Sequence, residues 1–514
     1  MNKTINSTRP FRLPAALLLL MLANSNHAQS IWTAPSSGNW GDALSWSGGV
    51  PTIANAALIT NAPSKVITVD LTTPLANRAA RRMDLNAPAG STNTLRLANL
   101  GVTPFQLANS FNLDAGGRLE ISNSFLQLDG SEGGSFNQFA GQIILAGGGI
   151  ATTNSDPLAL NGQPVLRIGR AGVGSATVLA GELRAYDQLV VADLAGSQGT
   201  LMLSNGLVSV GGILYVADDP GSLGRVDDFG GTLIATNDSA RIGDDGNGTL
   251  AQYAGTVILD SASVGRGSNA VGSVILCGGV MQPGSLSLGR FATAQGTLQV
   301  SGGTLDMSSN TLYVGREGNG LAVLSNGVAL VETLLIAASN TASGTLQMRG
   351  GSLTTGQLIA DKPTAQIQFN SGTLVITQAT TVANGAAFNV GNGTQAATLQ
   401  LDGGTHSFAN GLVISANATL KGTGTVVGPI TVLPGGSNQL GTTPASITLT
   451  PSRVNGLFRF SFPSTIGKLY EVLATTNVAS PNWQLQTTLS GTGVPLTYTN
   501  TSPASPRFFH VQIR

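Results

Sequence analysis

The chain has 514 residues, of which only 10% are charged, and its 25 Lys plus Arg balance 25 Asp plus Glu. Globular proteins usually have roughly 25% charged residues, so few side chains are available to build a catalytic cleft. The neutral balance gives no reason to expect nucleic acid as a partner. The single Cys277 excludes an internal disulfide bond, and three histidines leave little scope for His-based metal sites or Ser/His/Asp catalysis.

The N-terminus has the pattern of a secretory signal peptide over residues 1–28. Basic residues precede the apolar run Leu13–Ala23, and a short polar stretch ends at Ala28. The apolar run is shorter than the roughly 20 residues needed to cross a bilayer, and no later run reaches that length. We therefore expect a secreted, extracellular or cell-surface protein, without a membrane span once the signal is removed.

Residues 29–115 are expected to form an N-terminal cap and the first coils of the repeat that follows. Three of the four tryptophans lie here, at Trp32, Trp40 and Trp46. A stack of coils needs a covered end, because an open strand edge recruits other chains, and large aromatic residues can supply that cover. An exposed platform on which sugar rings stack is the alternative interpretation.

An internal repeat of about 24 residues runs through residues 116–434. The last small residue of a recurring turn marks it at Gly181, Gly206, Gly231, Gly255, Gly279, Gly303, Gly327, Gly351 and Gly372. The small residue that closes an apolar strand gives the same period at Gly169, Ala192, Ala217, Gly243, Gly265, Gly289, Gly315, Ala337 and Ala360. One such unit can bury its alternating apolar residues only against the next unit. The predicted fold is all-β, a parallel β-helix or solenoid of about 24-residue coils, which we expect to be right-handed.

A β-propeller is the competing interpretation. A doubled period appears where Gly-Thr-Leu begins at Gly199, Gly248, Gly296 and Gly344, and four-stranded blades have about this length. The 24-residue repeat is the more complete one, and the Trp and Asp signatures of blades are absent. These two observations favour the solenoid.

The repeat ends in a segment rich in Pro, Gly, Ser and Asn, residues 435–446, which we interpret as a linker. Residues 447–514 contain five or six short alternating stretches and predict a small C-terminal β-sandwich. The expected role of this module is attachment or sorting.

Short motifs in the opening and in the repeats form a recognisable set. They are Gly38-Asn39-Trp40, Trp46-Ser47-Gly48-Gly49-Val50-Pro51, Gly302–Leu305 and Asn417–Val426. Over residues 31–436 the chain resembles bacterial secreted proteins with autotransporter-associated β-strand repeats, which implies a passenger-type β-helix outside the cell. Asn55 stands near a place where such openings often have Asp, so an ion-dependent role of that position is not carried over.

The C-terminal module has motifs of its own, Tyr470-Glu471-Val472 and Arg507–Val511. They resemble a C-terminal module found on large secreted proteins of environmental bacteria. Phe509 and His510 stand where that module usually has Tyr and Arg, so no role is carried over to these two side chains.

Stacked coils place residues of equal register above one another, and the position after the strand-closing small residue is often charged. Its occupants are Arg170, Asp193, Asp218, Asp244, Arg266, Arg290, Arg316, Ala338 and Asp361. Carboxylates on neighbouring coils repel each other or share a cation. The candidate calcium ligands are therefore Asp193, Asp218, Asp244 and Asp245, and the neighbouring acids Asp219, Asp227 and Asp228 are expected to extend the same patch.

Two other interpretations of this charged column stay open. The acids can be solvated turn residues, with Arg266 partly neutralising Asp244. Alternatively they can be paired catalytic carboxylates, as in β-helical polysaccharide lyases and glycosidases. The sequence assigns no catalytic and no cofactor-binding residue.

The function expected from these features is that of a non-enzymatic extracellular rod, acting as an adhesin, spacer or surface-layer component. Its expected partner is an extracellular or cell-surface polysaccharide or another surface protein, and the protein is expected to be a monomer. A carbohydrate-binding or carbohydrate-active β-helix is the alternative.

Overall fold

The computed structural model describes residues 28–129, 136–153, 165–441, 449–454, 457–464, 468–477, 482–501 and 508–513. Strands hold 61% of the residues, and the chain forms a parallel β-solenoid of about 16 turns with coils of about 24 residues. The fold predicted from the repeat is thus confirmed. Residues 1–27 of the expected signal peptide lie outside the described residues. The chain divides into two compact units, Met1–Leu440 and Gly441–Arg514.

The first part of the solenoid contains short strands and two 3₁₀ helices, Ala43–Ser45 and Leu75–Asn77. Its strands are β1 Gln29–Ile31, β2 Gly38–Asn39, β3 Ala56–Ile59, β4 Lys65–Val69, β5 Ala79–Ala80, β6 Arg82–Leu85, β7 Asn93–Ala98, β8 Phe105–Leu107 and β9 Phe111–Leu113.

The regular coils follow. Their strands are β10 Gly117–Ser122, β11 Ser124–Asp129, β12 Phe136–Phe139, β13 Gln142–Thr153, β14 Val165–Ile168, β15 Val173–Ala185, β16 Leu189–Val191, β17 Gln198–Leu203, β18 Leu207–Val210, β19 Leu214–Val216, β20 Leu223–Asp228, β21 Thr232–Ile242, β22 Asn247–Gln252, β23 Thr256–Val264, β24 Val271–Leu276, β25 Val280–Pro283, β26 Leu286–Leu288, β27 Gln295–Val300, β28 Thr304–Val314, β29 Asn319–Leu324, β30 Val328–Ile336, β31 Ser343–Ala360, β32 Ala365–Val382, β33 Phe388–Val390, β34 Ala397–Leu401, β35 Thr405–Phe408, β36 Leu412–Ile414, β37 Ala418–Gly422, β38 Thr425–Val427, β39 Ile430–Val432 and β40 Ser437–Leu440.

Each coil has three faces, and each face pairs in parallel with the same face of the neighbouring coils. In one coil, β27 forms the first face and pairs with β24 before it and β29 after it. β28 then bends to form the second and third faces, which pair with β25 and β26 of the preceding coil and with β30 of the following one. Propeller blades require antiparallel neighbours, so the propeller interpretation is wrong.

Alternation along the strands places apolar side chains inside the coil. In the coil of β27 and β28 the buried residues are Leu298, Val300, Leu305, Met307, Leu312 and Val314. Residues between them point outward, because successive side chains of a strand lie on opposite sides. Equivalent positions in successive coils form one continuous apolar core along the solenoid.

The tight corner between the third and first faces explains the second sequence marker. Small residues there adopt positive φ, for example Ala192 at 65° and Gly289 at 60°. Just beyond the corner, glycine occupies the second position of the first-face strand in eight successive coils, at Gly174, Gly199, Gly224, Gly248, Gly272, Gly296, Gly320 and Gly344. The residue after this glycine is Thr in alternate coils over most of the column, which accounts for the doubled Gly-Thr-Leu period.

The three N-terminal tryptophans are buried and pack against each other. Trp46 makes edge contacts with Trp32 and Trp40 at centroid distances of 5.2 and 4.8 Å, and Trp40 contacts Phe105 at 5.0 Å. Trp40 donates its indole N–H to the carbonyl of Asn77 at 2.8 Å. Buried rings cannot stack on a glycan, so the interpretation as an exposed platform is wrong and the cluster acts as packing.

The C-terminal unit contains two antiparallel sheets of three strands. Its strands are β41 Thr450–Val454, β42 Leu457–Phe462, β43 Leu469–Thr475, β44 Gln484–Ser490, β45 Leu496–Thr499 and β46 Phe508–Ile513. One sheet has the order β41-β42-β45 and the other β44-β43-β46. Phe460, Phe462, Tyr470, Val472 and Val511 form its own buried core.

Candidate functional site

The predicted charged column lies at the end of the third face, and the backbone places three of its acids on successive coils. Asp219 donates its N–H to the carbonyl of Asp193 at 2.9 Å, and Asp245 donates to that of Asp218 at 2.8 Å. In a parallel ladder these bonds put Asp193 beside Asp218, and Asp218 beside Asp244. The register inferred from the repeat therefore describes the actual neighbours.

Asp244 is buried between two arginines. Its Oδ1 lies 2.8 Å from Nη1 of Arg266, and its Oδ2 lies 3.2 Å from Nη1 of Arg241. Only 4% of the residue is exposed. The contact with Arg266 is the one expected from the sequence, whereas Arg241 was missed because it lies three residues before Asp244, inside the strand rather than at the turn.

Asp193 is held in a comparable way on an earlier coil. Its Oδ2 lies 2.8 Å from Nε of Arg167 and 3.5 Å from Nε of Arg170. Burial raises the pKa of the Asp193 carboxyl, and the two arginines oppose that rise. Burial also lowers the pKa of Arg167, which Asp193 partly offsets.

Asp218 and Asp245 are half-buried neighbours on adjacent coils. Asp218 also acts electrostatically on Arg167 and on the phenol of Tyr215, whose pKa is raised mainly by burial. The column is therefore a mixture of acids and arginines rather than a purely acidic stack. Its chemistry is ion pairing between coils.

The candidate calcium ligands are partly engaged by these arginines. Asp193 and Asp244 each contact two guanidinium groups, and Asp218 and Asp245 are the other two candidate ligands. In the part of the chain that the structure describes, no three His, Cys, Asp or Glu side chains are grouped as a metal-ion site. A calcium site at this column stays a prediction.

Asp228 does not belong to the surface patch. Its register neighbours along the first face are Leu203 and Gln252, and both Asp228 and Gln252 are fully buried. Oδ1 of Asp228 accepts N–H groups of Gly230 and Gly231 at 3.1 and 2.8 Å. The expectation that Asp228 extends the acidic patch is wrong, because strand alternation turns it toward the core while its neighbour Asp227 points outward to Arg225.

Aromatic rings lie on the outer surface around the column, and the sequence did not predict their positions. The guanidinium of Arg241 lies 4.9 Å from the ring centroid of Tyr215, and that of Arg316 lies 5.0 Å from Tyr313. On another face, Phe229 and Tyr253 stack in parallel at 4.8 Å and are both exposed.

No family model matches the chain, and neither the curated proteins nor the solved structures include a match. Among the described residues, no helix is long and apolar enough to span a membrane.

Proposed function

We propose that this protein is a secreted, non-enzymatic structural or adhesive component of a bacterial surface, with the solenoid as a spacer. The observation that carries this proposal is the stack of about 16 turns with coils in parallel register. Such a stack supplies length and a repeated outer surface from one small unit. A single catalytic cleft needs neither this length nor a repeated outer surface.

The state of the acids supports the non-enzymatic part of the proposal. A glycosidase needs one carboxylic acid that protonates the leaving group and a second carboxylate that acts as base or nucleophile, both facing the substrate. Asp193 and Asp244 instead contact two arginines each. This ion pairing between neighbouring coils supports a structural role for both carboxylates.

Export is supported by the signal-like N-terminus. The C-terminal unit is suited to attachment or sorting because its buried residues form a core of their own.

Carbohydrate binding is the second candidate, favoured by the exposed stack of Phe229 and Tyr253. Their ring planes differ by only 5°, and 45% and 40% of the two residues are exposed. Exposed aromatic rings bind the apolar faces of sugars. The double variant Phe229→Ala, Tyr253→Ala should then lose retention on a neutral glycan column that the native protein shows.

The proposal is tested by producing the full chain in a Gram-negative host and incubating the exported protein with a panel of polysaccharides. We expect N-terminal processing near Ala28, recovery outside the cytoplasm, and no increase in reducing ends or unsaturated uronate. Retention of an uncleaved chain in the cytoplasm would contradict export. Polysaccharide cleavage that is lost in Asp218→Asn, with unchanged circular dichroism, would overturn the non-enzymatic assignment.

A further inference from the structure

We propose that three arginines on successive coils, Arg266, Arg290 and Arg316, form a ladder that binds the carboxylates of an acidic polysaccharide. The ladder continues the charged column beyond Asp244. The proposal deepens the proposed function by naming the partner class, and it rests on that function only for the extracellular location. The ligand class is a polyuronate chain lying along the solenoid axis.

The three side chains are arranged in a regular way. Arg290 donates Nη1–H to the hydroxyl of Ser263 at 2.9 Å, and Arg316 donates to that of Ser287 at 3.3 Å. Each of these serines lies on the preceding coil, so each guanidinium reaches back by one coil. Corresponding atoms on adjacent coils are about 4.8 Å apart, which gives the ladder a fixed period.

The charge of the ladder is incompletely balanced. Within the described residues, Arg290 and Arg316 have no carboxylate within ion-pair distance, whereas Arg266 shares Asp244 with Arg241. Burial lowers the pKa of Arg290, and so do the neighbouring arginines Arg316, Arg266 and Arg241. The exposed Glu317 has a smaller effect in the opposite direction. A serine hydroxyl leaves most of the five N–H donors of each guanidinium for another acceptor.

Asp244 shows that arginines at this end of the column bind a carboxylate. Its carboxylate bridges Arg241 and Arg266, with one oxygen on each guanidinium at 3.2 and 2.8 Å. Arg266 binds one oxygen of a carboxylate on the preceding coil, whereas in the described chain Arg290 and Arg316 contact serine hydroxyls there instead. A ligand carboxylate beside Arg290 and another beside Arg316 would give each arginine the kind of partner that Asp244 gives Arg266, and planar guanidinium groups are matched to carboxylates.

Aromatic rings hold the ladder in position before any ligand binds. The guanidinium groups of Arg266 and Arg290 lie 5.2 and 5.6 Å from the ring centroid of Phe291, and Arg316 lies 5.0 Å from Tyr313. These cation–π contacts reduce the side-chain freedom that binding would otherwise remove. The site is therefore pre-organised.

The period and the total charge select a polysaccharide among polyanions. Two carboxylates of one polysaccharide chain can contact Arg290 and Arg316 at once, so the second contact gains from effective concentration. Nucleic-acid surfaces have broad basic faces and high net positive charge, whereas this chain is neutral overall with 25 basic and 25 acidic residues. We therefore propose a polysaccharide as the ligand and include a nucleic acid as a comparison in the experiment.

The experiment measures binding of the purified full chain to polygalacturonate by isothermal titration calorimetry at about physiological ionic strength. Dextran, dextran sulfate and single-stranded poly(dT) are the comparison ligands. We expect binding to polygalacturonate, none to dextran, and a loss of affinity of at least about tenfold in Arg290→Gln, Arg316→Gln. Arg349→Gln is the matched control, because Arg349 is exposed, donates a hydrogen bond to Gln347 at 2.7 Å and lies outside the ladder.

Several outcomes would overturn the proposal. They are no binding of the native chain to polygalacturonate, unchanged affinity in the double variant, or equal loss in Arg349→Gln. Affinity for dextran sulfate or poly(dT) that equals or exceeds that for polygalacturonate would show a sulfate or nucleic-acid partner instead. If the double variant does not fold, Arg290→Lys keeps the charge but removes the planar fork and should still weaken binding several-fold. None of these results bears on export or on the absence of cleavage, so failure here is distinct from failure of the proposed function.

Discussion

Asp228 lies at an interior position where the preceding coil has Leu203 and a later one has Leu276. Its Oδ2 is buried and has no hydrogen-bond partner among the described residues, and the same holds for Oε1 of its neighbour Gln252. Burial raises the pKa of the Asp228 carboxyl, although the N–H groups of Gly230 and Gly231 act in the opposite direction. The Asp228 carboxyl is therefore harder to ionise in the folded chain than in the unfolded chain.

This shift predicts a pH-dependent stability. Because the folded-state pKa lies above the unfolded value of about 3.9, the contribution of Asp228 is complete below that value and is lost as pH rises through the folded pKa. Asp228→Asn keeps the oxygen for the glycine N–H groups and cannot ionise. The melting temperature of the variant, relative to that of the native protein, should therefore increase as pH rises from about 4 to about 8.

Asp306 offers a control of opposite sign. The hydroxyl and N–H of Ser308 lower the pKa of its carboxyl, so its contribution is present above about pH 3.9 and is lost as pH falls through the folded pKa. Asp306→Asn should lose stability relative to the native protein as pH rises through the folded pKa towards about 4, and the difference should then stay constant up to about pH 8. The same pH trend in both variants would contradict the assignment of Asp228.

Calcium binding at the charged column is the second prediction at this scale. If Asp218 and Asp245 share a cation, added calcium raises the melting temperature of the native protein by mass action on the folded state. Asp218→Asn, Asp245→Asn should abolish that rise, whereas Asp361→Asn on a distant coil should keep it. A native melting temperature that calcium leaves unchanged would remove the ion site from consideration.

At the scale of the strand, the first-face glycine column allows the backbone of the corner to pack directly against the first-face strand. A Cβ on Gly296 would overlap the carbonyl oxygen of Val264 and the backbone nitrogen of Gly289. Backbone at a paired corner cannot move away without breaking its ladder. The column therefore tolerates no side chain.

Gly296→Ala should accordingly reduce the free energy of unfolding, by about 1–3 kcal/mol from overpacking. Gly172→Ala is the matched control, because a Cβ there would meet only the Cβ of Ala140 at 3.6 Å. Urea denaturation followed by circular dichroism measures both. Equal stability of the two variants would argue against the tight corner.

The sequence predicted the coil because its strongest constraints recur locally. Corner residues such as Gly289 must be small, and Leu298 and Val300 must be apolar, so both markers share one period. Arg241 and the inward orientation of Asp228 escaped prediction for a common reason. Both lie within strands, where the side on which a side chain lies depends on where the strand begins, and boundaries are the least certain part of a sequence interpretation.

At the scale of the whole molecule, the two compact units have separate cores. Separation of the chain between Leu440 and Gly441 should therefore yield two fragments that each fold. The full chain should show a thermal transition for each unit. A fragment 441–514 that lacks β-type circular dichroism, or a single transition that disappears as a whole on cleavage, would contradict this division.

The in-register column of Gly272, Gly296 and Gly320 also bears on how such a chain changes in evolution. Each of these glycines occupies the second position of a first-face strand, so all three lie at the same place in their coils. If one coil is duplicated or lost between two such glycines, the new neighbours still have matching corners. Their buried residues also still stack in register. Lineages that carry this protein can therefore differ in length by whole coils at little cost in foldability, while insertions of a few residues are restricted to the turns.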